Sequence, residues 1–180
     1  MEKTDAKTQD GRARKIRSLL FNVGMVVAVF IAVTTFQSRN MLATGEEAAP
    51  GLRGMTLAGA PYDLANAESR PALVYFFAPW CRICAASAGN LNRLRRWRDE
   101  SELEMIAVAL DWSSVEEVSA YVERHQLDVT VLLADANVAR DWQIYAFPSY
   151  YVLDSGHRVV RRDIGYSSQL GLLWRAWAVE

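Results

Sequence analysis

The chain is poor in the residues that usually announce a site. Its 180 residues hold two cysteines, two histidines and five prolines, and 20 basic residues stand against 21 acidic ones. The cysteines, Cys81 and Cys84, lie three positions apart, which excludes a disulfide-stapled mini-domain and leaves a buried apolar core to hold the fold. A net charge of −1 supplies neither a basic field for nucleic acid nor the acidic excess of a disordered chain. With only His125 and His157 available, any metal held by the two thiols has few further ligands to draw on. Internal repeats are absent as well.

Long uncharged runs are equally rare, with one exception. Residues 19–36, LLFNVGMVVAVFIAVTTF, carry no charge and are interrupted only by Asn22, Thr34 and Thr35. At 1.5 Å per residue the run spans roughly 27 Å, near the thickness of a bilayer's hydrocarbon core. A buried core helix of that length would show a polar face. A cleaved signal peptide is the stronger rival, but its apolar region is shorter, and no clean A-x-A site follows this run. We therefore read 18–37 as an uncleaved single-pass anchor in the lipid bilayer. Lys3, Lys7, Arg12, Arg14, Lys15 and Arg17 precede it, whereas Arg39 and Arg53 follow. The positive-inside rule places the basic tail 1–17 in the cytoplasm and the rest beyond the membrane. That arrangement fits a bacterial inner membrane with its domain in the periplasm, an oxidising compartment in which a cysteine pair invites a redox explanation. Residues 38–54 are polar, rich in Gly and Ala and without a sustained period, so they read as a tether. The folded domain is expected over 55–180.

Within the domain, runs of strand length alternate with helical patterns. M-T-L (55–57) and 61–64 flank A-G-A and suggest an opening hairpin or an edge strand. A-L-V-Y-F-F-A (72–78) is a continuous apolar run, the mark of a strand buried on both faces. A helix opens at the cysteines, with Cys84, Ala88, Leu91, Leu94 and Trp97 on one face. Its arginines, 93, 95, 96 and 98, read as a solvated face with favourable cations in the last turns rather than as a nucleic-acid patch. Strands are expected at 103–110, 130–135, 149–154 and 157–164. Helices fall between them, one opened by Ser113 or Ser114 with Glu116 or Glu117 as a capping box, one over 137–143, and a last one from Ser167 or Ser168 to Trp177. D-S-G-H (154–157) signals a hairpin turn. The order predicts an α/β fold: a mixed central sheet, parallel strands first and an antiparallel hairpin last, with helices on both faces.

Cys81 follows a buried strand and falls in the first turn of a helix. There the free backbone N–H groups and the helix dipole stabilise an anion such as a thiolate, and thiolate is the nucleophilic form. Arg82 adds a positive charge beside it, and both effects act to lower the pKa of Cys81. Cys84, one turn on and on the apolar face, is expected to be buried and less reactive. This asymmetry suits an attacking thiol and a resolving one. A C-x-x-C alone also fits half a metal site or a structural pair. Pro148, just before a strand, is open to two readings: a trans proline that starts the strand or a cis bond in a tight position.

F-F-A-P-W-C-R-I-C, a proline opening a strand about 65 residues later, and a hairpin ending at Gly165 together resemble the thioredoxin fold. The anchor, the MTLAGAPYDL hairpin and GYSSQLGL near the end resemble more specifically the membrane-anchored TlpA/ResA-type thiol-disulfide oxidoreductases, nearest to members associated with bacterial copper tolerance. Over 55–180 the resemblance implies Cys81 as nucleophile and Cys84 as resolving cysteine, their redox-active disulfide serving in place of any cofactor or metal. It implies Trp80 as the aromatic that shields the motif, and Pro148 as a cis proline lying against the cysteines. Together with Arg82 and Phe147 these residues would bind substrate. Protein thiols and disulfides would be the substrates, and a membrane electron-transfer protein the redox partner. Three positions depart from the pattern. Tyr75 stands where thioredoxins place a buried Asp, Ser87 where ResA-type reductases place a Glu, and Gly89 where a helix-kinking proline is common. Without either carboxylate, and with Arg82 in the motif, the pair leans towards an oxidising one.

The alternative function is copper binding by the same two thiols, since soft metals take thiolates. The helix bearing His125 runs some 18 Å from the cysteine end, and His157 follows Pro148 by roughly 20 Å of strand. A copper site would therefore rest on the thiols alone. A purely structural Cys81–Cys84 disulfide is the third reading, but so short a loop contributes little through chain entropy.

Overall fold

The computed structural model describes residues 17–29, 32–33, 39–45, 48–67 and 70–177. The chain divides into two units, residues 1–37 and 38–180. In the first, residues 17–29 are helical with exposed side chains. Among the described residues no helix is long and apolar enough to cross a membrane. The expected anchor at 18–37 lies partly outside the described residues, which lack 30–31 and 34–37.

The second unit opens with a hairpin, β1 (Arg53–Thr56) and β2 (Pro61–Asp63), and continues with β3 (Ala72–Phe77), α1 (Arg82–Trp97), β4 (Glu104–Ala109), α2 (Val115–His125), β5 (Thr130–Leu133), α3 (Ala136–Asp141), β6 (Ser149–Leu153), β7 (Val159–Ile164) and α4 (Gln169–Trp177). The strands form one sheet in the order β2-β1-β5-β4-β3-β6-β7. Strands β3, β4 and β5 are parallel, β6 and β7 return antiparallel, and the opening hairpin extends the far side by pairing β1 antiparallel to β5. The mixed sheet expected from the alternation and the thioredoxin-like fold implied by the resemblance are both present.

Every residue of β3 is buried, and the period of two sends its side chains into two different cores. Leu73, Tyr75 and Phe77 join Cys84, Ala88, Leu91 and Leu94 of α1, Tyr121 of α2 and Leu172 of α4. Val74 and Phe76 face the other way, into a core with Ile106, Val108, Trp142 and Tyr151. Helix α3, the described helix adjoining this second core, is only six residues long, and chain upstream of the hairpin completes the cover. Met41 and Leu52 are buried there. Tyr151 Oη accepts a hydrogen bond from Leu42 N (3.2 Å), and an Arg162 guanidinium nitrogen donates to the carbonyls of Met41 and Leu42. Much of the segment read as a tether, 38–54, thus packs against the domain, because its few apolar residues fill a gap the helices leave.

Helix α2 starts as its capping pattern predicts. Ser114 Oγ accepts from Glu117 N, and Glu117 Oε2 accepts from Ser113 N at 2.8 Å. Strand β7 begins at Val159 rather than at 157. Asp154 Oδ1 collects the N–H groups of Gly156 and Arg158, and His157 takes a positive φ of 57°, so the turn consumes the first two residues of the expected strand.

Phe76 is fully buried between Trp142 (ring centroids 5.3 Å apart) and Tyr151 (6.1 Å, edge-on). Phe76→Ala should therefore destabilise the domain by about 3–5 kcal/mol, measured as a shift in urea midpoint at constant m-value. A loss below about 1 kcal/mol would show that this second core does not support the sheet.

Candidate active site

Strand β3 delivers the motif. After Phe77 the chain turns through Ala78, Pro79 and Trp80, closed by a Cys81 N–H to Ala78 carbonyl bond of 3.0 Å. Cys81 is the N-cap of α1, in extended conformation, and its Sγ accepts a hydrogen bond from Cys84 N at 3.1 Å. Cys81 and Cys84 are joined as a disulfide with Cα atoms 5.2 Å apart. Both cysteines are buried, but Cys84 is wholly inaccessible and Cys81 is 6% exposed, so Cys81 is the nearer of the two to the surface. Arg82 and Ile83, between them, are exposed. This geometry matches the asymmetry expected from the sequence: the outer sulfur sits at a helix start with a backbone donor aimed at it.

Trp80 lies mostly in solvent, but its indole Nε1 donates to the Asp111 carbonyl at 3.0 Å. Its ring meets Phe147 edge-on at 5.9 Å, an arrangement aromatic quadrupoles favour. The Phe147–Pro148 bond is cis, as the resemblance implied. Pro148 is buried, and its carbonyl accepts from Gly165 N at 2.8 Å. The Trp80–Phe147 contact therefore brings the turn before β6 to the edge of the cysteine motif. Trp80, Cys81, Cys84, Phe147 and Pro148 gather at one end of the sheet, and Arg82 projects from the same turn.

Beneath the disulfide, the carboxylate positions of related proteins hold neutral groups. The Tyr75 hydroxyl donates to the Cys84 carbonyl at 3.2 Å, and its ring lies 5.1 Å from that of Tyr150. Ser87 Oγ donates to the Ile83 carbonyl at 3.0 Å. Burial pushes the Tyr75 phenol well above its usual range, with the neighbouring tyrosines adding to the effect. Burial likewise lifts Tyr121 to about 12. Both phenols stay protonated at any physiological pH, so Tyr75 presents a hydroxyl dipole to the Cys84 carbonyl rather than a charge.

The remaining candidates lie elsewhere. His125 packs against Tyr121 with tilted rings, 4.6 Å between centroids, and burial lowers its pKa. Among the described residues no group of three or more His, Cys, Asp and Glu lies placed to hold a metal ion. The arginines of α1 serve the fold: Arg95 donates to the carbonyls of Arg98 and Leu103, Arg98 pairs with Glu102 at 3.3 Å, and Arg93 binds Asn90 Oδ1. Sequence reasoning missed Asp111, whose carbonyl holds Trp80, and Trp112, which lines a cleft with Phe147. They follow β4 directly at the carboxyl edge of the parallel strands, where open α/β sheets bind ligands, and that signal was available. It also missed Asn90, which ties α1 to the start of α4 through the Ser167 carbonyl at 2.9 Å.

A cysteine pair at a helix start, beside a cis proline that opens the neighbouring strand of a mixed sheet, defines a protein of the thioredoxin-like class. The AhpC/TSA family profile matches residues 46–162, and the chain belongs to that family. It is 26% identical over 110 residues to the thioredoxin-like protein YneN of Bacillus subtilis, covering 59% of this chain and 63% of YneN. It is 34% identical over 65 residues to the thiol:disulfide interchange protein TxlA of Synechococcus elongatus, covering 36% of this chain and 34% of TxlA. The chain thus spans less than two thirds of either relative. The crystal structure of a thiol:disulfide interchange protein of the thioredoxin family from Chlorobium tepidum shares the fold, with a TM-score of 0.67 at 20% identity, over 75% of this chain and 97% of that one.

Tyr75→Phe removes one buried hydrogen bond and leaves the ring in place. It should cost about 1 kcal/mol of stability, measured by chemical denaturation of the oxidised protein. An unchanged midpoint would mean that the Tyr75 hydroxyl does not hold the Cys84 carbonyl.

Proposed function

We propose that the chain is a thiol-disulfide oxidoreductase of the TlpA/ResA type, anchored in the bacterial inner membrane and acting on protein thiols and disulfides in the periplasm. The observation that carries the activity is the Cys81 sulfur, placed at the N-cap of α1 and held by the Cys84 N–H, in the less buried of the two cysteines. The interchange function in the name of TxlA supports it, and the charge asymmetry around residues 18–37 supports the anchor.

In the reducing direction, the Cys81 thiolate attacks one sulfur of a substrate disulfide. A Cys81–substrate bond forms, the substrate S–S bond breaks, and the departing substrate thiolate takes a proton from solvent. The Cys84 thiolate then attacks Cys81 Sγ. This step releases the second substrate thiol and forms the Cys81–Cys84 disulfide seen here, so two electrons pass from the pair to the substrate. Oxidation runs the same steps backwards. The backbone N–H and the helix dipole favour the thiolate, and Arg82 adds a nearby cation. Stabilising the reduced form in this way raises the pair's potential and favours the oxidising direction. Trp80, Phe147 and Pro148 frame the approach to Cys81. The pair needs no bound cofactor, and a membrane electron-transfer protein would return it to its working state.

Insulin reduction and dithiol titration of the pair test the activity. Cys81→Ser should abolish exchange, whereas Cys84→Ser should accumulate a mixed disulfide visible on a non-reducing gel. Full turnover by Cys81→Ser would overturn the mechanism, and stoichiometric Cu(I) binding without exchange would favour the copper alternative. In the reduced protein at pH 6, iodoacetamide should label Cys81 at least tenfold faster than Cys84, by mass spectrometry of the digest, as their exposure and the thiolate's donors require. Equal labelling would deny the asymmetry. For the location, protease added to spheroplasts should degrade the domain; protection of the domain until lysis would overturn the periplasmic placement.

A further inference from the structure

Beside the motif, with Phe147 in its lining, lies an open cleft of about 350 Å³. Its walls are Trp112, Ala134, Ala136, Ala139 and Phe147, and the residues at its rim include Asp111 and Asp135. The cleft is joined to the cysteine turn twice, because Trp80 donates to the Asp111 carbonyl and its ring abuts Phe147. The Trp112 indole Nε1 is bonded to the Ala134 carbonyl at 3.1 Å, which bridges the loops after β4 and β5. With that N–H satisfied, the indole offers the cleft an apolar ring. Leu110 also lines the cleft, and the three alanines among its lining residues leave space beside two large aromatic rings.

The rim is acidic. Asp135 holds its charge: its carboxylate accepts from Asn137 N and Val138 N at the start of α3, and these bonds pull its pKa below the usual carboxylate value. Neither Asp111 nor Asp135 is engaged in a salt bridge among the described residues. Both are exposed.

We infer that this cleft is a specificity subsite for the residues flanking the substrate cysteine, and that it takes a bulky apolar side chain followed by a Lys or Arg. The inference rests on the oxidoreductase reading above. Burial of a leucine-sized side chain against Trp112 and Phe147 supplies the affinity, and the two aspartates supply the preference in charge. Fixed next to Trp80, the subsite holds the adjacent substrate sulfur at Cys81.

The test uses the reduced protein and two synthetic peptides, each carrying one cysteine as a mixed disulfide with thionitrobenzoate. One has Leu-Arg beside the cysteine, the other Ala-Glu. Each exchange passes two electrons from the dithiol and releases coloured thionitrobenzoate and the peptide thiol. The Leu-Arg peptide should react at least fivefold faster. Within each variant the ratio of the two rates is the readout. Asp111→Asn should lower it; asparagine tolerates the positive φ of 50° at this position. Ala136→Trp, which fills the cleft from an exposed position, should bring the ratio close to one. Equal rates for the two peptides in the parent protein would overturn the subsite while leaving the exchange chemistry standing. A ratio unchanged in both variants would also overturn it, as would a concentration-dependent dimer that masks the cleft in sedimentation analysis. Failure to release thionitrobenzoate from either peptide would instead overturn the oxidoreductase reading itself.

Discussion

One hydrogen bond organises this molecule's chemistry: the Cys84 N–H that points at Cys81 Sγ across the first turn of α1. A helix start always leaves N–H groups without intrahelical partners. Here one of them meets a sulfur, where a serine or aspartate would ordinarily stand as the cap. The cap therefore gives the helix its first partner while the disulfide is closed and gives the thiolate its donor once the disulfide opens. Helix formation and sulfur chemistry thus depend on the same few atoms, and the rest of the fold keeps those atoms still.

The sheet does so by burying β3 completely. Six consecutive inaccessible residues feed two cores, so the strand's end cannot shift without opening both. On one side Leu91 and Leu94 fix α1 in register with the strand. On the other, Phe76 is boxed by Trp142 and Tyr151, and Met41 and Leu52 join the same core. This second core is remote from the sulfurs, yet it sets the position of the strand that carries them. The antiparallel pairing of β6 with β3 then fixes where the cis-proline turn meets Trp80.

Much of this was legible in residue patterns. The apolar run at 72–78, the capping pair Ser114 and Glu117, and the periodic apolar face of α1 each state a local preference that the tertiary structure keeps, except at Trp97, which ends that face and stands 69% exposed where the helix runs out of core to cover. So the strands, helices and cysteine geometry could be read directly, and Pro148 became legible through the company it keeps. The role of 38–54 was not legible, because Met41 and Leu52 are isolated apolar residues with no period, and only the shape of the finished core gives them a place. Asp111 was missed for a different reason. Its place after β4 was a signal, but its bond to Trp80 runs through a backbone carbonyl, which any residue type offers.

The neutral floor under the disulfide bears on the rate of exchange. A buried carboxylate near Cys84 could take its proton as the pair is oxidised and return it on reduction. Tyr75 and Ser87 stand at the two positions where such a carboxylate would be expected, and both spend their hydroxyl protons on backbone carbonyls. Burial keeps the Tyr75 phenol un-ionised, so it cannot serve as a base at physiological pH. Proton traffic at Cys84 is then left to water admitted when the disulfide opens, a slower route in a wholly inaccessible site. The Cys81 thiolate, by contrast, is favoured from the outset by its backbone donor and the helix dipole. A missing base at Cys84 slows exchange in both directions alike; on the proposed reading, only the stabilised thiolate at Cys81 biases the pair, and it does so towards the oxidising direction.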